Sequence, residues 1–174
     1  ADVKGLLAAA IRDPDPVIFF EQKSLYATKG EVPDGELVDE LGKAKVLRKG
    51  DDVTIVALAA MVPRAMAAAD RLQQEDGVSA TVVDVRSLVP LDTQTIFKEV
   101  EHTGRLVTVE ENPRLCGWGA EISSIVAEEM FYDLDGPIIR ITSPHCPIPS
   151  ADDLEDQYLP TPERIVETIR REVD

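Results

Sequence analysis

The side chains best suited to reactive chemistry in this 174-residue chain are two histidines, two cysteines and one pair of adjacent glutamates. His145 stands between Pro144 and Cys146, just past the last strand-like run, where open α/β sheets bind ligands. A thiol nucleophile needs a base within hydrogen-bond reach and a third group to orient that base. Adjacent residues rarely point at one another, so the expected role of His145 is that of a buried or hydrogen-bonded loop residue. His102 falls in the last turn of a helical pattern, where the helix dipole favours a cation, and reads as a surface residue. Cys116 and Cys146 have neither a metal-ligand spacing nor a disulfide framework, which fits a reducing cytoplasm. Glu110 and Glu111 end a strand-like run, and Gly117-Trp118-Gly119 follows at a helix start. Glycines at a helix N-terminus can cradle an anion. The remaining fingerprint glycine and a P-loop lysine are missing, however, and two carboxylates would oppose a phosphate. The favoured reading is a tight turn in which Glu110 or Glu111 caps the helix amides. Arg86, just past another strand end, is expected to pair with Asp84, Asp92 or a neighbouring subunit. Trp118 is either an interface anchor or a partly buried core residue.

These residues hang on a regular alternation of strand and helix patterns from Val53 onward. Val53–Leu58, Ala80–Val85, Leu106–Val109 and Ile138–Ile141 are β-rich runs. Helices are expected at about 60–75, after the N-cap Asp92 with Gly104 as its stop, over 118–131, and from Pro162 with Thr161 as cap. Ile165, Val166, Ile169 and Val173 form the inner face of that last helix. Strands joined through helices run parallel. Ala44–Arg48, joined to Val53–Leu58 by a short Gly-containing connection, is expected to pair with it antiparallel. The expected fold is a three-layer α/β sandwich around a mostly parallel sheet of about five strands, one of them antiparallel.

Ahead of this domain lie two elements that fit it poorly. Residues 1–11 place Val3, Leu6, Leu7, Ala10 and Ile11 on one helical face, and Val17-Ile-Phe-Phe20 reads as a fully buried strand. A buried strand needs neighbours on both sides. Residues 1–20 are therefore expected to be the end of an upstream α/β domain, 21–42 a linker, and 43–174 the second domain.

Composition narrows the partners. With 33 acidic and 18 basic residues the net charge is −15, which repels a nucleic-acid backbone or an anionic membrane and suits a basic docking partner. No apolar run approaches the ~20 residues of a membrane span.

Taken in order, a further set of segments carries a resemblance. Asp15-Pro-Val-Ile-Phe-Phe-Glu21, Gly50-Asp-Asp-Val-Thr-Ile-Val56, Val83-Asp-Val-Arg86 and Pro90-Leu-Asp92 come first. Thr103-Gly-Arg105, Gly119-Ala-Glu-Ile122, Leu134-Asp-Gly-Pro-Ile138, Arg140-Ile-Thr142 and Tyr158-Leu-Pro160 follow. Together they resemble β subunits of thiamine-dependent 2-oxo acid dehydrogenases, from the end of the first domain through the transketolase-like second domain. Lys29-Gly-Glu-Val32, Glu111-Asn-Pro-Arg114 and His145 look more like the acetoin dehydrogenase branch. Gly117-Trp-Gly-Ala-Glu121 looks more like the pyruvate and branched-chain members, and Gln22 stands where many relatives have His or Pro.

The resemblance implies an oxidoreductase component in which thiamine diphosphate and magnesium are held elsewhere in a heterotetramer. No catalytic, cofactor-binding or metal residue carries over to this chain, which is expected to be inactive alone. The implied partners are a second β chain, through the C-terminal domain, an α subunit, and the basic subunit-binding domain of an acyltransferase. Docking candidates for the last are Asp152, Asp153, Glu155, Asp156 and the tail near Asp174. The alternative is a stand-alone nucleotide- or anion-binding domain using the strand ends around Glu110, Gly117 and His145.

Overall fold

A computed structural model describes residues 1–173, without the side chains of Glu172 and Val173, so the expectations for Val173 packing and for Asp174 lie outside it. The chain begins with helix α1 (Asp2–Arg12). The sheet then follows as β1 (Lys45–Arg48), β2 (Val53–Ala57), β3 (Ala80–Asp84), β4 (Leu106–Pro113) and β5 (Ile139–Ser143). Between and after the strands come α2 (Met61–Glu75), α3 (Thr93–Thr103), α4 (Trp118–Glu129), α5 (Asp152–Tyr158) and α6 (Pro162–Val173).

The strand order is β1-β3-β2-β4-β5, with only β1 antiparallel. Because side chains alternate along a strand, each central strand feeds two cores. Ile55, Val82, Val107 and Val109 pack with α2 and α6 on one face. Val56, Val83 and Leu106 pack with Ile96, Val100, Ile122 and Val126 on the other. This is the three-layer sandwich expected from the strand–helix alternation. Asp92 caps α3 by accepting the Thr95 amide at 3.2 Å, and Gly104 closes it at φ 65°.

Two expectations need correction. β1 does run antiparallel, but its partner is β3 and not β2. The intervening Gly50 passes against the Ser79–Ala80 backbone, where a Cβ would collide, and its N–H donates to Thr81 Oγ1 at 2.9 Å. The Asp52 N–H donates to the Ser79 carbonyl at 2.9 Å. The chain therefore crosses the start of β3 before entering the sheet, a tertiary constraint that a hairpin-like spacing conceals.

Residues 17–20 are not a buried strand. They pair with no other strand, and Ile18 and Phe20 are 80% and 89% exposed. A β-rich run becomes a strand only where it lies along another strand's open edge, and residues 17–20 pair with neither open edge of the sheet, β1 or β5.

The Pro-punctuated stretch from Pro144 to Pro160 contains α5. Its first turn holds Asp152, Asp153 and Glu155, an acidic N-terminus that complements the helix dipole.

Candidate functional site

In a doubly wound sheet the ligand crevice opens at the carboxyl ends of strands whose connections leave in opposite directions. Here those strands are β2, which continues through α2 to β3, and β4, which continues through α4 to β5. Glu110 and Glu111 lie at the carboxyl end of β4, with side chains on opposite faces, and they meet different fates.

Glu110 is fully buried. A buried carboxylate is costly unless its oxygens are matched by donors. Four are supplied. The Gly119 N–H donates to Oε2 at 2.9 Å and Asn112 Nδ2 donates to the same oxygen at 3.0 Å. Arg140 on β5 donates to Oε1 from Nε at 3.2 Å and from Nη2 at 3.0 Å. Arg140 Nη2 also reaches the Arg114 carbonyl at 2.8 Å, so the guanidinium ties β5 to the turn before α4.

The glycines of Gly117-Trp-Gly119 are required by this carboxylate. A Cβ on Gly117 would strike Glu110, Asn112 and Arg140, and a Cβ on Gly119 would strike Glu110 and Thr108. The capping-turn reading is therefore what the structure contains. The amide that an anion would need is already taken by a negative side chain, which opposes the anion-cradle alternative. By the same token a diphosphate does not fit this helix start. Among the described residues no cluster of three His, Cys, Asp or Glu could hold a metal ion.

Glu111 points to the other face, half-buried. Burial pushes its carboxyl above the usual range, with Glu155 adding to the effect and Arg64 opposing it. Gln22, from the segment ahead of the domain, donates to Glu111 Oε1 at 3.5 Å. Arg64 donates to the Pro160 carbonyl at 2.9 Å and lies 3.8 Å from Asp156. The crevice is thus lined by the chain's own polar groups, drawn from 21–22, α2 and α5.

The remaining candidates scatter. His145, expected to be buried or hydrogen-bonded, is exposed beside Cys146 in the loop after β5, and Asp152 and Asp153 are exposed on α5. Cys116 is exposed in the turn before α4. Trp118 is partly buried against the second core, the packing alternative of the two expected for it. His102 ends α3 on the surface, its Nε2 2.8 Å from Asp51 Oδ1.

Arg86 pairs with neither the Asp92 carboxylate nor, through its guanidinium, with Asp84. Its guanidinium bonds Asp39 in the 21–42 segment and approaches Asp2 of α1 at 3.9 Å. Asp92 is unavailable because it caps α3 and accepts the Ala44 amide at 3.1 Å. Asp84 accepts only the Arg86 backbone N–H, at 3.1 Å. Burial raises the Asp84 carboxyl, assisted by the charge of Asp2.

Sequence reasoning missed Asn112 and Arg140 as partners of Glu110. The usable signal was a single arginine inside an apolar strand, β5, next to a single buried glutamate in β4. Thr108 and Arg140 are in register across the two strands, which sets Arg140 beside Glu110.

Comparison with known proteins decides the family, since residues 42–165 match the model of the transketolase C-terminal domain. The chain belongs to that family. It is 51% identical over 166 residues to the acetoin:2,6-dichlorophenolindophenol oxidoreductase subunit beta of Bacillus subtilis (strain 168), covering 95% of this chain and 48% of that protein. From the same organism, the 2-oxoisovalerate dehydrogenase subunit beta is 41% identical over 171 residues, covering 97% of this chain and 52% of that protein. The pyruvate dehydrogenase E1 component subunit beta is likewise 41% identical over 171 residues, with 98% and 52% covered. The chain spans about half the length of these relatives. Among solved structures, a split-gene transketolase described as an inactive beta4 tetramer superposes with a TM-score of 0.69 at 30% identity, over 83% of this chain and 45% of that one. The likeness to β subunits read from the segments 15–160 is thus borne out.

Proposed function

We propose that this chain is the C-terminal assembly domain of the β subunit of a thiamine-dependent dehydrogenase component, an oxidoreductase acting on acetoin or a 2-oxo acid. The observation that carries this reading is the match of nearly the whole chain to β subunits whose names specify three different substrates. A segment shared across substrates suits a common assembly role better than substrate choice. Within one organism the acetoin-type relative exceeds the other two by 51% to 41%, which supports the acetoin branch.

On this reading residues 1–20 belong with an upstream domain, 21–42 cross between the two, and thiamine diphosphate and magnesium are held by the parent heterotetramer. Catalysis then needs an α subunit as well as the rest of a β subunit. The self-satisfied Glu110–Arg140 cluster supports this, because its donors and acceptors are spent on holding β4, β5 and α4 together. A second β chain and a basic acyltransferase domain complete the proposed partners. The exposed acids of α5 and the net charge of −15 support an electrostatic contribution to the latter.

The test is an assay of acetoin- and pyruvate-dependent dye reduction. The chain alone should give none, and an α subunit with a full-length β subunit should give turnover. Turnover by the chain alone, with thiamine diphosphate and magnesium added, would overturn the proposal. Affinity for an acyltransferase subunit-binding domain should fall as salt rises, and salt-independent affinity would remove electrostatics from the docking model.

A further inference from the structure

Helix α1 is attached to the domain in an unusual way, by its polar side. The 33–39 segment runs along it. Lys4 Nζ donates to the Pro33 carbonyl at 2.7 Å, Arg12 pairs with Glu36, and the Asp39 N–H donates to the Gly5 carbonyl at 3.1 Å. Gly5 is the one fully buried residue of α1, and a Cβ there would overlap the Asp39 carboxylate. The apolar residues Val3 and Ile11 meanwhile remain 58% and 75% exposed.

What joins this helix-and-segment pair to the sheet is charge. Arg86 leaves the carboxyl end of β3 in a left-handed conformation, φ 58°, that is uncommon for a residue with a side chain. This geometry is held by its N–H to Asp84. Its side chain is only 10% exposed, and its guanidinium binds Asp39 and faces Asp2. Lys45 of β1 reaches the same Asp2 oxygen at 3.1 Å. The Lys4, Arg12 and Lys45 contacts lie on the surface, where single contacts contribute little. Arg86 is the one cation of the set that is largely removed from water. Both carboxylates are faced by the same nitrogen, Nη2, with Asp39 as its hydrogen-bonded partner and Asp2 as a second charge beyond it.

We infer that Arg86 is a positioning residue, a latch that holds α1 and residues 33–39 on the sheet edge and so fixes the direction in which the apolar stripe of α1 faces.

The test is hydrogen exchange followed by mass spectrometry on the whole chain, comparing wild type with Arg86→Asn, Arg86→Lys and Asp39→Asn. Asparagine tolerates the left-handed backbone, so Arg86→Asn removes the guanidinium with little added strain. In Arg86→Asn and Asp39→Asn, amides of α1 and 33–39 should exchange about tenfold faster or more, with β2, β3 and β4 unchanged. Arg86→Lys should fall between these variants and wild type. Unchanged exchange in α1 overturns the latch, and so does equal acceleration in every segment. If Arg86→Asn does not fold, Asp39→Asn decides by the same criteria. The measurement needs no partner and no turnover, so its outcome is separate from that of the functional proposal.

Discussion

Strand β2 and helix α1 are both rich in apolar residues and put them in opposite places. All five residues of β2 are buried, with Ile55 and Val56 feeding the two cores on either face of the sheet. In α1 the buried residue is Gly5, and Val3, Leu7 and Ile11 face outward. The domain from Lys45 onward is held mainly by apolar burial, around a few buried carboxylates at Asp92, Glu99 and Glu110. The segment before it is held by ion pairs and amide contacts, with Val3, Leu7 and Ile11 left exposed. The same amphipathic pattern thus serves as core in one region and as an open face in the other. Periodicity reports that a stripe exists, and the neighbours determine whether it is covered.

The contrast can be broken most severely at the buried charge. Arg140→Ala leaves Glu110 buried with its strongest partner gone, and should cost about 3–5 kcal/mol in urea unfolding. Pairing it with Glu110→Gln should recover a large share, and a loss below about 1 kcal/mol would show that the cluster does not secure β4 to β5.

The next effect compares one residue type in both regions. Ile169→Ala, in the core beneath α6, should cost about 2–5 kcal/mol by the same measurement.

Asp92→Ala, which removes the α3 cap, should cost about 1–2 kcal/mol near neutral pH. Burial alone would raise the Asp92 carboxyl, but the Thr95 hydroxyl, the Thr95 amide and the Ala44 amide outweigh it and hold it below the usual range. Its contribution is therefore present above the ordinary aspartate pKa and is lost as pH falls through the lowered folded value. The gap between wild type and Asp92→Ala should narrow on acidification, and a gap independent of pH would remove the ionised cap from the explanation.

Smallest of all, Ile11→Ala should change unfolding by no more than about 0.5 kcal/mol. A loss approaching that of Ile169→Ala would mean that the α1 stripe is covered in solution, and the contrast between the two regions would fall.

Much of the fold was legible in the sequence where local rules and burial agree. α2, α3 and α4 carry stripes at helical spacing, Asp92 and Gly104 mark the ends of α3, and the alternation of strand and helix patterns implied parallel pairing. The site was legible in part. A cap for the α4 amides from Glu110 or Glu111 followed from two carboxylates shortly before a Gly-rich helix start, and the structure selects Glu110. Arg140 was passed over because its partner is distant in sequence, and Arg86 was expected to meet Asp84, Asp92 or a neighbouring subunit, whereas within the chain its partner sits in the 21–42 segment. α5 was hidden by the prolines around it.

From its sequence alone this chain was bound to form an α/β sandwich, because alternating periods of two and 3.6 leave few other ways to bury both faces of a sheet. The sequence also carried the segments that align it with dehydrogenase β subunits. Tertiary structure decided where β1 inserts, which carboxylate fills the start of α4, and which aspartate Arg86 holds. Each of these depends on groups far apart along the chain meeting in one place. Such meetings follow from packing geometry and desolvation, which no local pattern encodes.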